Sequence, residues 1–185
     1  MKKNMILMTI ISLIVLLVSV VTYHFTRNRV VFSVAITFGT IFYHFAARLA
    51  VGHLIDSRYH NRMDYTKKWF TEKVFERKLY KIIQVKKWKK RLPTYNPQDF
   101  DLKNCSIIEI VQVTCQSEVV LEVNMILTFV PIAFSIWFGS VGVFVITSCA
   151  AFLFDSIFVI IQRYNRPRLM RLIKKINSCL SIDNK

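Results

Sequence analysis

Val141–Ile161 reads VGVFVITSCAAFLFDSIFVII, and Gln162–Leu169 follows as QRYNRPRL. The first stretch carries a single charged residue, Asp155. As a helix it would rise about 30 Å, enough to cross the hydrocarbon core of a bilayer. The second stretch puts Arg163, Arg166 and Arg168 within six residues, with Tyr164 and Asn165 between them. Arginines at the end of a membrane helix are suited to holding phosphates and sugar hydroxyls beside lipid.

Three further apolar runs lie upstream: Met5–Tyr23, Val30–Gly52 and Val119–Phe138. Each is about 20 residues long and apolar throughout, without the strict alternation of barrel strands. Lipid offers no partner to backbone polar groups, so such runs are helices. The expected fold is an all-α integral membrane protein with four transmembrane helices. A long cytoplasmic segment of basic and amphipathic helix joins the second to the third. The spans are expected near 5–23, 30–52, 119–138 and 141–162, with a cytoplasmic segment over 53–118 and a basic tail over 163–185. All belong to one membrane domain over 1–185. The first run starts with Lys2 and Lys3, as a signal peptide would. It is long for such a segment, and no small-x-small site follows Tyr23, so a retained helix is expected.

Composition agrees. The chain has 185 residues, is 54% hydrophobic and carries a net charge of +15. A soluble core protein seldom combines the two, so they must be segregated along the chain. The stretch from Arg58 to Lys103 holds fourteen basic residues and the tail seven, together 21 of the chain's 26. Lysine and arginine accumulate on the cytoplasmic side. Four spans with both termini cytoplasmic satisfy that bias. The cysteines, Cys105, Cys115, Cys149 and Cys179, show no C-x-x-C spacing, so neither zinc nor a disulfide framework is expected.

Residues 53–104 mix bases with Tyr59, Tyr65, Trp69, Phe70, Phe75, Tyr80 and Trp88. This pattern predicts one or two amphipathic helices at the lipid interface, with lysines toward anionic lipid. Lys86-Lys87-Trp88-Lys89-Lys90-Arg91-Leu92-Pro93 closes the pattern; Pro93 ends the helix and Thr94-Tyr95-Asn96-Pro97 turns. Ile107–Gln116 is expected to be a helix leading into the third span. Nucleic acid is not an expected partner, because no soluble domain presents the basic face.

Ionisable groups inside spans are costly and point to function. His44 and Arg48 share one helical face, as do Glu118 and Glu122; Asp155 lies about 10 Å before Gln162. Arg48 is the strong cation among them, with Glu118, Glu122 and Asp155 as its possible partners. One reading is an ion-pair cluster that fixes helix packing. The other is a polar pocket with a carboxylate or His44 as general base and Arg163, Arg166 and Arg168 as anion ligands. Soluble catalytic signatures such as G-x-S-x-G, the Walker loop or H-E-x-x-H are missing from the chain.

Phe158–Leu169, FVIIQRYNRPRL, closely resembles the carboxy-terminal signature of the glycosyl-4,4′-diaponeurosporenoate acyltransferases. Val85-Lys86-Lys87-Trp88-Lys89 with Leu92-Pro93 is similar to that family's central basic-Trp motif, and Ser117-Glu118-Val119-Val120 to its Ala-Glu-hydrophobic motif at the start of the third span. The resemblance covers roughly residues 55–175. It implies a small membrane enzyme that esterifies a sugar hydroxyl of a glycosylated carotenoid, or another glycolipid, with a fatty acyl chain. Acyl-CoA or another acyl donor would be co-substrate, with no cofactor. Glu118, His44, Asp155 and Glu122 are then the catalytic candidates. Arg48, Trp88, Gln162, Arg163, Tyr164, Asn165, Arg166 and Arg168 are the binding candidates. One position departs: the family pattern carries a histidine three residues after the glutamate, where this chain has Leu121, followed by Glu122. The same residues also fit a non-enzymatic membrane protein that binds anionic lipid or a partner helix. The oligomeric state is left open.

Overall fold

The structure, a computed structural model, describes residues 2–92, 97–101 and 105–183. Side chains are described at these positions except 90, 97, 177 and 179–183. The expected helix end at Pro93 and most of the turn after it, residues 93–96, lie outside this range.

Every regular element among the described residues is helical. Seven α-helices run in chain order: α1 Lys2–Thr26, α2 Arg29–Tyr59, α3 Val74–Ile82, α4 Val85–Trp88, α5 Ile107–Leu127, α6 Val130–Phe138 and α7 Val141–Asp183. Short 3-10 turns occupy Lys68–Phe70, Lys89–Arg91 and Pro97–Phe100. Four stretches are long and apolar enough to cross a membrane: Lys2–Thr26, Arg29–Tyr59, Ile107–Phe138 and Val141–Ile176. This is the make-up of a multi-pass membrane protein. The helices outrun the apolar runs. α2 continues past Gly52, and α7 carries the Arg-rich motif and much of the basic tail as one helix.

Two compact units can be told apart. The first combines Met1–Leu54 with Val120–Ser156. Its α1 leaves Leu7, Ile14, Leu17, Val18 and Val21 exposed, as side chains that meet acyl tails would be. Hydroxyls of Thr9, Thr22, Thr37 and Thr40 donate to carbonyls four residues back, so they need no external partner. Asn28 starts α2, its Oδ1 accepting from the Val30 N–H at 2.8 Å.

The second unit combines Ile55–Val119 with Ile157–Lys185. Its core is Met63, Phe70, Val111 and Cys115, covered by Leu169, Met170 and Ile173 of α7. The chain leaves α2 through His60 and Asn61, both with positive φ. The Asn61 N–H donates to Gln116 Oε1 at 2.9 Å, and Gln116 Nε2 donates to Asp56 at 3.1 Å. Ser106 and Glu109 form a capping box at the start of α5. α7 passes through Pro167 without ending, although an interior proline removes a helix hydrogen bond. Side chains on both flanks are held within the unit, Arg163 and Arg166 before it and Leu169 and Met170 after it.

α3 has an unusual face. Val74, Phe75 and Ile82 are exposed, whereas Glu76 and Tyr80 are buried. A helix in water would turn the other way.

Candidate functional site

Glu118 is the centre of the second unit, with none of its side chain exposed. It stands one turn after Thr114 on α5, so the two share a face. Arg163 and Arg166, three apart on α7, both reach this face. Arg163 Nε donates to Glu118 Oε1 at 2.8 Å, and Arg166 Nη2 donates to Glu118 Oε2. Arg166 is 3% exposed, and its other N–H groups go to Thr114 Oγ1 at 3.3 Å, Thr114 O at 3.2 Å and Phe70 O at 3.3 Å. Arg163 Nη1 donates to Glu76 Oε1, and its Nη2 to Trp69 O at 3.1 Å. Two guanidiniums thus meet two carboxylates. A buried ion cluster persists only when charge and hydrogen bonds are satisfied together, as they are here.

Glu76 is tied at its second oxygen as well. Tyr80 Oη donates to Glu76 Oε2 at 3.1 Å, and the Lys73 N–H donates to the same atom at 3.3 Å. Burial, and then the Glu76 charge, hold the Tyr80 phenol well above its ordinary value of 10.0. A raised value favours the neutral phenol, so the associated stability is present below pH about 10 and is lost as pH climbs through the folded value. Tyr80→Phe should therefore leave the alkaline phenolate absorbance of the folded protein unchanged through the ordinary tyrosine range. A reduced amplitude in that range would show Tyr80 ionising freely.

Around this cluster lie the other motif residues of the unit. Lys89 Nζ donates to Asn165 Oδ1 at 2.7 Å and sits 4.8 Å from the centre of the Tyr164 ring. Arg168 lies over the same ring, 4.2 Å from its centre. Tyr80 meets Tyr164 edge to face at 5.4 Å. Trp88 is fixed by its indole N–H, which donates to Ile83 O at 2.8 Å across the left-handed residue Gln84. Beside it an apolar groove of about 260 Å³ is lined by Trp88, Leu92, Ile157 and the exposed Arg91. Gln162 is half-buried on α7.

The first unit holds a separate ion pair. Arg48 grips Asp155 with two N–H groups, Nε to Oδ1 at 3.1 Å and Nη2 to Oδ2 at 2.7 Å. Nη1 donates to His44 O at 3.0 Å, and Nη2 also reaches Ala151 O at 3.3 Å. Of the three carboxylates open to Arg48 on sequence grounds, the geometry gives it Asp155. Glu122 is half-buried in the same unit.

The structure therefore joins Glu118 to Arg163 and Arg166, and Arg48 to Asp155. It gives the N–H groups of Arg163 and Arg166 to carboxylates, backbone carbonyls and the Thr114 hydroxyl. Sequence reasoning missed Glu76, Thr114 and Tyr80. A signal existed for Glu76: with Glu72 it is one of two acids in the basic stretch from Lys67 to Arg91, and it stands four residues before a tyrosine.

The family model for glycosyl-4,4′-diaponeurosporenoate acyltransferase matches residues 66–175. That is well over half of the chain, and it includes Glu76, Glu118, Arg163 and Arg166. The chain belongs to the glycosyl-4,4′-diaponeurosporenoate acyltransferase family. It is thereby a member of an acyltransferase family of carotenoid biosynthesis. His44 and Arg48 lie before the matched stretch, whereas Glu122 and Asp155 lie within it. No curated protein and no solved structure matches the chain.

Proposed function

We propose that this family member transfers a fatty acyl group from an acyl thioester, such as acyl-CoA, to a sugar hydroxyl of a glycosylated carotenoid or related glycolipid. It works at the inner leaflet of a bacterial cell membrane, with both termini cytoplasmic. The observation that carries the reading is the family match over residues 66–175, which contains the buried carboxylate–guanidinium cluster. The charge distribution supports the orientation, since 23 of 26 basic residues fall on the cytoplasmic side of a four-span topology with both termini inside. The exposed apolar face of α3 and the exposed Trp69 support contact with membrane lipid.

Glu118 acts as an orienting group: both its oxygens are engaged, and it holds Arg163 and Arg166 in place. The donor then needs other cations. The exposed Arg91 lines the Trp88–Leu92–Ile157 groove, and the exposed Lys86 and Lys87 precede Trp88 in the chain. The acyl chain lies in that groove and the donor phosphates meet these bases. Removing one charge-assisted contact costs about 1.5–3 kcal/mol, roughly a tenfold to hundredfold loss of affinity. Arg91→Glu should raise the KM for acyl-CoA by at least ~10-fold in purified protein, while the melting temperature stays put. Unchanged KM would remove the donor from this groove. The activity itself is tested by supplying purified protein with acyl-CoA and a glycosylated carotenoid. No acylated glycolipid, together with an unchanged lipid profile in cells lacking the gene, would favour a non-enzymatic lipid-binding role.

A further inference from the structure

The first unit contains a small cavity that the ion pairs do not use. It lies between α2 and α5 and is lined by Tyr43, His44, Ala47, Asn124, Leu127 and Thr128, with Arg48 at its edge. His44 is 7% exposed and Asn124 4% exposed. Both His44 Nε2 and Asn124 Oδ1 are buried without a hydrogen-bond partner. A buried polar atom left unpaired costs about 1–3 kcal/mol, so two of them lining one cavity call for an occupant.

The two hydroxyls and the guanidinium of the lining are already engaged. Tyr43 Oη donates to Leu127 O at 3.0 Å, and Thr128 Oγ1 donates to Met125 O at 2.7 Å. Arg48 is committed to Asp155 and to the His44 and Ala151 carbonyls. The buried lining atoms without a partner are an imidazole nitrogen and an amide oxygen. The space open to the centre of a water-sized sphere is about 10 Å³, which suits one oxygen atom and nothing larger. Asn124 Oδ1 only accepts, so the occupant must donate to it; His44 Nε2 takes the complementary part. One group meets both demands at that size, a hydroxyl.

We propose that the His44–Asn124 cavity is a binding site for a single hydroxyl, supplied by water or by an alcohol-bearing lipid. Only the second source rests on the acyltransferase reading; the site itself does not. It lies before the family-matched stretch on the His44 side, and neither residue belongs to the motifs that carry the family resemblance.

The test uses the full chain in lipid nanodiscs, labelled with ¹⁵N in its histidine rings. His44 is assigned as the resonance lost in His44→Phe. The probe is octyl glucoside, whose sugar hydroxyls stand on an alkyl chain. If an alcohol-bearing lipid is the source, octyl glucoside displaces the Nε2 signal, and Asn124→Leu removes the response. If water is the source, the glucoside does nothing, but Nε2 shows a through-space cross-peak to water that Asn124→Leu abolishes. Ala47→Val narrows the cavity while keeping both polar groups, and should suppress either response even where Asn124→Leu fails to fold. An Nε2 signal that shows no water contact and ignores the glucoside would overturn the site. Loss of acyl transfer activity alone would bear on the enzyme reading and not on this cavity.

Discussion

Glu118→Ala is expected to destabilise the protein by about 3–5 kcal/mol, the cost of breaking a buried ion pair from one side. The geometry explains the size. Glu118 is fully buried and answers two guanidiniums, one of them, Arg166, only 3% exposed. Without it Arg166 keeps three neutral acceptors, Thr114 Oγ1, Thr114 O and Phe70 O, and no counter-charge. Arg163 retains Glu76. The measurement is the thermal melting of purified protein in one fixed detergent. The contrasting variant is Glu118→Leu combined with Arg166→Met, which removes both members of one pair. It should recover most of the loss, because an apolar replacement of matched volume is often neutral or stabilising. If Glu118→Ala melts like the unmodified protein, the cluster is not what holds α5 to α7 in this unit. Glu118→Gln separates stability from activity: it keeps the shape, and as an orienting residue Glu118 should then lower kcat more than it raises KM.

The second large effect belongs to the other ion pair. Arg48→Leu is expected to cost about 3–5 kcal/mol by leaving Asp155 buried and unanswered. Asp155 is fully buried, and both its oxygens accept from Arg48. Arg48→Leu with Asp155→Leu should be at least as stable as the unmodified chain. The double variant removes two ionisable groups from membrane helices, each of which costs roughly 2.5–3.5 kcal/mol at a helix centre on insertion scales. Melting of the two single variants and the double gives a double-mutant cycle. A double variant destabilised by the sum of the two single losses would mean that the two residues act independently. Because the pair lies in a different unit from Glu118, its loss should leave the Tyr80 titration unaltered.

The four long helices were legible because a bilayer writes its thickness into composition. Apolar runs of about 20 residues survive any uncertainty about packing. Helix ends were harder. The apolar run gives way to arginines at Gln162, and α7 continues to Asp183. Charge density says where lipid ends, not where hydrogen bonding along the backbone ends. In the site, Glu118, Arg163 and Arg166 stood out as groups needing a reason, but their pairing depends on contacts 45 and 48 residues apart in sequence. The Arg48 partner was open for the same reason. Glu76 was overlooked because α3 was read by its apolar residues. In a helix whose apolar side faces outward, the buried side is the polar one.

Gly139 closes α6 with φ +73°, a conformation that suits glycine, and α7 starts at Val141. Gly139 and Ser140 are all that separate the two helices, with no charge for a polar loop. Such a connection has no means of staying behind in water while one helix waits for the other. A link this short and uncharged favours entry of the two helices into a bilayer together, as a hairpin. A side chain with a Cβ at position 139 would penalise that step even where the finished protein tolerates it.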